Sequence, residues 1–168
     1  NWSTDSVPPN NSSYYAKISM ATGPTLSIGQ TAGIYRVYLE GTSDNGTLIM
    51  SGGTLNLSGS WIGIGYTASN SGTLTVNSGT INTTGASGHL YCGTAGTATL
   101  NMSGGDVNAG GTFYVARDVG SVADVNLSGG TITCATLSIR ANAQPPNIAV
   151  GTIDITDTGT LIFTSSAL

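Results

Sequence analysis

Few side chains in this 168-residue chain have the types and spacing to do chemistry. His89 is its one histidine, and the nearest thiol is Cys92. A nucleophilic triad needs a histidine held between an acid and a nucleophile. Cys92 instead falls at an apolar position of an alternating run and reads as a small buried side chain, as does Cys134. His89 then reads as a turn residue ahead of a strand, and two cysteines in different runs make no disulfide framework. The acids are Asp5, Glu40, Asp44, Asp106, Asp118, Asp124, Asp154 and Asp157. Hydrolysis or elimination on a polysaccharide needs carboxylates converging on one groove. Only Asp124 and Asp154 come near that requirement, and they occupy adjacent rather than equal positions of their repeats, so they read as solvated. The Gly-Gly-x-Gly-x-Asp calcium repeat is absent. No catalytic residue, metal ligand or cofactor site is indicated. Nucleic acid is a poor partner for a chain of net charge −4 whose basic residues, Lys17, Arg36, Arg117 and Arg140, are scattered.

The elements that position these residues are repeats. The clearest copy is Gly46-Thr47-Leu48-Ile49-Met50-Ser51-Gly52-Gly53-Thr54-Leu55-Asn56-Leu57. It returns at 72–83, 97–109 and 123–134 and, weakened, at 151–163. The closing glycines, Gly53, Gly79, Gly105, Gly130 and Gly159, are separated by 26, 26, 25 and 29 residues. A fixed period in that range means stacked supersecondary units. Only 7% of residues are charged, but regular apolar alternation through almost the whole chain excludes disorder.

Each repeat carries three alternating runs, too short for ordinary helices. The first holds Leu48, Leu74, Leu100, Val125 and Ile153; the second Leu55, Ile81, Val107, Ile132 and Leu161; the third Val37, Ile62, Leu90, Phe113 and Leu137. Glycine at the Ser-Gly-Gly step accepts positive φ and turns the chain. The expected fold is therefore all-β: a right-handed parallel β-helix with three short strands per coil and about six coils of ~26 residues. Ile18 with Met20, Leu26 with Ile28, and Val37 with Leu39 are expected to form the three sides of the first coil. Residues 1–15 are read as an N-terminal leader or cap and 16–168 as the solenoid. Pro145 and Pro146 mark an insertion that widens one turn. No stretch approaches the ~20 apolar residues that span a bilayer, so membrane insertion is not expected.

Three outward files follow from the register. Asn56, Asn82 and Asn108 are spaced to bond amide to amide from coil to coil. Tyr38, Tyr91 and Tyr114 form a stripe on the third side, a packing ladder or a platform for sugar rings. Asn10 and Asn45, each in an Asn-x-Ser/Thr sequon, are the candidate glycosylation sites, taken to lie in exposed positions.

The pattern Gly72-Thr73-Leu74-Thr75-Val76-Asn77-Ser78-Gly79-Thr80, with the Leu90-Tyr91-Cys92-Gly93 step, resembles the β-solenoid repeats of large secreted bacterial surface proteins. Autotransporter-associated repeats and the exosortase-sorted (PEP-CTERM) surface proteins of Planctomycetes are of this kind. Asn1-Trp2-Ser3, Val7-Pro8 and Ala16-Lys17-Ile18 are similar to the leader that precedes such repeats. The resemblance covers nearly the whole chain and implies a secreted, structural or adhesive role with no catalytic residues to carry over. The Thr54, Thr80 and Thr131 file also partly resembles the threonine rows of ice-binding solenoids, with Asp106 and Ile162 interrupting it.

The expectation is a non-enzymatic extracellular structural protein that assembles with itself into a fibre or surface layer. Its candidate contact residues are Trp2, Tyr14, Tyr15 and Ile18 at one end and Leu161, Ile162 and Phe163 at the other. An adhesin or carbohydrate-binding solenoid, with glycans as partner, is the alternative; a polysaccharide lyase or an ice-binding protein stands behind it.

Overall fold

The computed structural model describes residues 15–18, 25–27, 31–41, 45–140, 142 and 148–167. Among them the only regular elements are ten strands. These are β1 (Tyr15–Ile18), β2 (Thr25–Ser27), β3 (Thr31–Leu39), β4 (Gly46–Ile64), β5 (Ser71–Thr83), β6 (His89–Cys92), β7 (Thr97–Val115), β8 (Val122–Ile139), β9 (Val150–Ile155) and β10 (Thr160–Ala167). Every pairing between them is parallel, and all ten belong to one sheet. The chain is a β-solenoid of about five turns whose coils are about 26 residues apart. No helix among the described residues is long and apolar enough to cross a membrane.

Register puts like on like. Leu48 pairs with Leu74, Leu74 with Leu100, Leu100 with Val125, and Val125 with Ile153. Leu48, Leu74, Leu100 and Val125 are essentially inaccessible to water, as are Leu55, Ile81, Val107 and Ile132 on side two and Ile62, Leu90 and Phe113 on side three. The core is thus a dry shaft of aliphatic files, and burial of these side chains stabilises the stack by about 1.5–3 kcal/mol each.

The corners explain why three runs form fewer than three separate strands. β4, β7 and β8 each continue as one strand through the Ser-Gly-Gly step, with register shifts there. Gly53, Gly79, Gly105 and Gly130 hold φ between 71° and 91°, with Gly52 at 144° beside the first of them, so the bend at this corner rests on positive-φ glycine. At the next corner Gly65, Gly93, Ala116 and Arg140 repeat the device with φ of 57°, 74°, 51° and 58°. The last coil departs from the pattern: Asp157, not Gly159, takes the positive φ, of 49°.

The first coil differs from expectation. Ile18 pairs with Leu39, on side three and one level lower, so it does not open side one. Leu26 pairs with Met50 on side one, and Ala32 and Ile34 pair with Leu55 and Leu57 on side two. The first coil has no Ser-Gly-Gly corner to mark its phase, and alternation alone does not say which side a run belongs to. Trp2, Asn10, Tyr14, Met20, Ile28, Pro145 and Pro146 lie outside the described residues, as does the expected leader up to Tyr14.

Candidate functional site

The tyrosine stripe is interrupted. Tyr38 pairs with Gly63 and Gly63 with Tyr91, so one level lacks a ring. Tyr66, from the corner after β4, fills the slot. Its ring stacks on Trp61, with centroids 4.5 Å apart and planes 20° apart, and meets Tyr38 and Tyr91 edge-on. A Cβ on Gly63 would come within 2.9 Å of Tyr66 Cδ2, so glycine is what admits the ring. Tyr91 and Tyr114 stack face to face, 4.9 Å apart with planes 5° apart, the spacing of adjacent strands.

His89 completes this cluster. Its ring packs edge-on to Tyr91 and Tyr114, and its Nδ1 accepts the Thr112 backbone N–H at 2.9 Å. Burial, and then the neighbouring Arg117 cation, push its pKa below the usual histidine value. Arg117 lies over Tyr91 and Tyr114, 5.7 and 5.3 Å from the ring centroids, and Arg36 over Tyr35 and Trp61, at 5.0 and 4.8 Å. Burial raises the Tyr91 hydroxyl pKa. Trp61 and Tyr91 are buried, and the Tyr91 and Tyr114 faces are turned toward each other. Rings packed in this way hold levels of the solenoid together. Trp61, Tyr66 and the two arginines were not among the expected stripe residues. The signal that locates Tyr66 is the glycine at position 63, a missing ring in an otherwise aromatic file.

The asparagine file forms as expected. Asn82 Nδ2 donates to Asn56 Oδ1 at 2.9 Å and Asn108 Nδ2 to Asn82 Oδ1 at 3.0 Å. A second amide step joins Asn126 Nδ2 to Asn101 Oδ1 at 3.0 Å on side one. The adjoining threonine file reads Thr31, Thr54, Thr80, Asp106, Thr131, Thr160, with Asp106 in its middle. Asn45 is not in an open loop: it is half-buried and its Nδ2 donates to Thr73 Oγ1. The atom a glycan would modify is therefore already bonded.

The remaining reactive groups stay apart. Cys92 and Cys134 are buried, unpaired with each other and on different sides, and burial raises both thiol pKa values. Asp124 pairs with Thr152 and Asp154 with Asn126, so the two carboxylates occupy neighbouring files. No group of three or more His, Cys, Asp or Glu side chains converges among the described residues. Among the described residues the buried carboxylate is Glu40. Its Oε1 lies 3.0 Å from Lys17 Nζ and its Oε2 accepts the Thr67 N–H at 3.0 Å, tying β1 to the corner that carries Tyr66.

The two ends of the shaft are unlike. Ile18, Ile34 and Leu39 at the first end are buried. At the other end Ile155 is 47% and Phe163 42% exposed, although both occupy the inward files above Leu127 and Cys134. Ile162 faces outward on side two and is also exposed. β9 and β10 each pair only with β8 among the described strands, leaving one edge of each without a partner. Comparison with protein-family models, curated proteins and solved structures found no match.

Proposed function

We propose that this chain is a non-enzymatic structural protein of the cell exterior that assembles end to end through its solenoid. The observation that supports this reading is that Ile155 and Phe163 continue the core files and are open to water at the last described level, where a coil supplied by a second copy would cover them. An exposed apolar edge is a template for another strand. The other end offers β1, which pairs only with β3 among the described strands, and it carries Lys17 and Arg36 where the last level carries Asp154 and Asp157. Residues Ser165–Ala167 and Tyr15–Ile18 both lie on side three, so β10 of one copy and β1 of the next are edges of the same side. Tyr15 and Ile18 at one end and Leu161, Ile162 and Phe163 at the other are the contact residues of this reading.

The test is negative-stain microscopy and light scattering on the purified chain and on its Phe163→Asp variant. Rods that lengthen with concentration, and that the variant stops forming, are the expected result. A wild-type chain that stays as single short rods, or a variant that elongates equally well, overturns the reading.

A further inference from the structure

All the exposed large apolar side chains among the described residues, Val119, Val122, Ile148, Val150, Ile155, Ile162 and Phe163, belong to the last two levels. Four of them are not at the end of the shaft. Val119, Val122, Ile148 and Val150, 41–66% exposed, lie together on the flank where side three turns into side one. Val122 and Val150 are register partners, and the Gly120 N–H donates to Ile148 O at 2.8 Å. Another coil stacked on the end would cover Ile155 and Phe163 but would leave this flank in water. The same outward file is polar lower down, where Ser71 and Thr97 precede Val122 and Val150. The apolar character is therefore local, and exposed apolar side chains gathered on one flank mark a contact surface.

Charge decides what fits it. Following the chain around the circumference, Arg117 and Arg140 come before the four aliphatic residues and Asp124 comes after them. Arg140 and Asp124 are both exposed. Asp118, on the basic flank, is engaged by Asn142 Nδ2 at 2.5 Å and lies 3.9 Å from Arg117 Nε. Asp124 accepts a bond from Thr152 Oγ1 at 2.6 Å, which orients its carboxylate and leaves its charge in place. The patch is thus apolar in the middle, basic on one flank and acidic on the other.

We infer that this flank is a side-by-side contact between two copies of the chain, related by a two-fold axis parallel to the coil axis. That operation lays aliphatic patch on aliphatic patch and sets Arg140 of each copy against Asp124 of the partner. A two-fold perpendicular to the coil axis would set Arg140 against Arg140, so the charge order selects parallel rods. Both open ends then point the same way, and lateral pairing leaves end-to-end growth unobstructed. The contact uses a different surface from the proposed end joint and stands without it.

The experiment is sedimentation of Phe163→Asp, which blocks end joints, alone and combined with Arg140→Asp, Asp124→Arg or both. The parent is expected to be a dimer. Each single charge reversal should weaken dimerisation about tenfold, and the double reversal should restore it. Circular dichroism of each variant confirms that the solenoid is intact. A monomeric parent, a dimer indifferent to both reversals, or a double variant no better than either single one overturns the contact. The parent's failure to dimerise would leave the end joint standing, because that joint is read separately from wild-type rods.

Discussion

Tyr66 lies over Gly63 so closely that a Cβ at position 63 would sit 2.9 Å from its ring. Side three keeps an unbroken aromatic file because one level gives up its own ring and borrows another from the corner. Gly63→Val should expel Tyr66 from Trp61 and cost about 1–3 kcal/mol, the range for overpacking a filled site. Trp61 emission, read in a Trp2→Phe background, should move to longer wavelength as the indole meets water. Unchanged emission and stability would show that Tyr66 does not depend on that space.

The left-handed corner residues divide into two kinds. Gly65 has a φ of 57°, and a Cβ there would lie 2.1 Å from the Thr97 carbonyl oxygen. Gly65→Ala should therefore destabilise the solenoid by well over the ~1 kcal/mol that the backbone conformation alone costs. Ser69 has a φ of 65° in an exposed turn. Ser69→Gly should raise stability by about 0.5 kcal/mol, the strain removed less the extra freedom given to the unfolded chain. Chemical denaturation of the pair reads both signs.

The amide file makes a third test. Asn82 donates to Asn56 and accepts from Asn108. Asn82→Ala removes both bonds and should cost about 1–2 kcal/mol, whereas Asn108→Ala, at the end of the file, removes one and should cost about half as much. Equal losses at both positions would mean that the file contributes nothing as a chain of bonds.

Acid should loosen the structure in two stages. His89 has its pKa lowered, by burial and then by Arg117, and protonation at Nδ1 would also break its bond from Thr112. The unfolded chain then binds more protons than the folded one, so stability falls as pH drops below the ordinary histidine value of about 6.5. Glu40 is raised by burial, but Thr67 and Lys17 outweigh that and leave its pKa below the ordinary value. Its contribution is present above the unfolded glutamate value of about 4.3 and is lost as pH falls through the lower folded value. Melting temperatures taken from about pH 8 to about pH 3 should show both steps, and His89→Gln should remove the upper one.

Much of this was legible in the chain because a solenoid is nearly one-dimensional. Leu48, Leu74, Leu100 and Val125 recur at a fixed period, and parallel pairing turns that period directly into a stack. The asparagine file is visible for the same reason. The first coil was not legible, since without a Ser-Gly-Gly corner nothing marks whether Ile18 belongs to side one or side three. The exposed position expected for Asn45 was also wrong, because half-burial there comes from Thr73 in the next coil.

Alternation and glycine spacing by themselves determined an all-β stack with a dry aliphatic shaft, because period-two burial and positive-φ glycine at a corner are local properties of the backbone. Only the tertiary structure decided that Tyr66 fills the gap at Gly63, that Arg117 covers two tyrosines, and that Val119, Val122, Ile148 and Val150 share one flank. Those contacts join a corner residue to a strand, or one corner to another, and the distances between corners depend on how far each turn swings the chain, which no repeat period encodes.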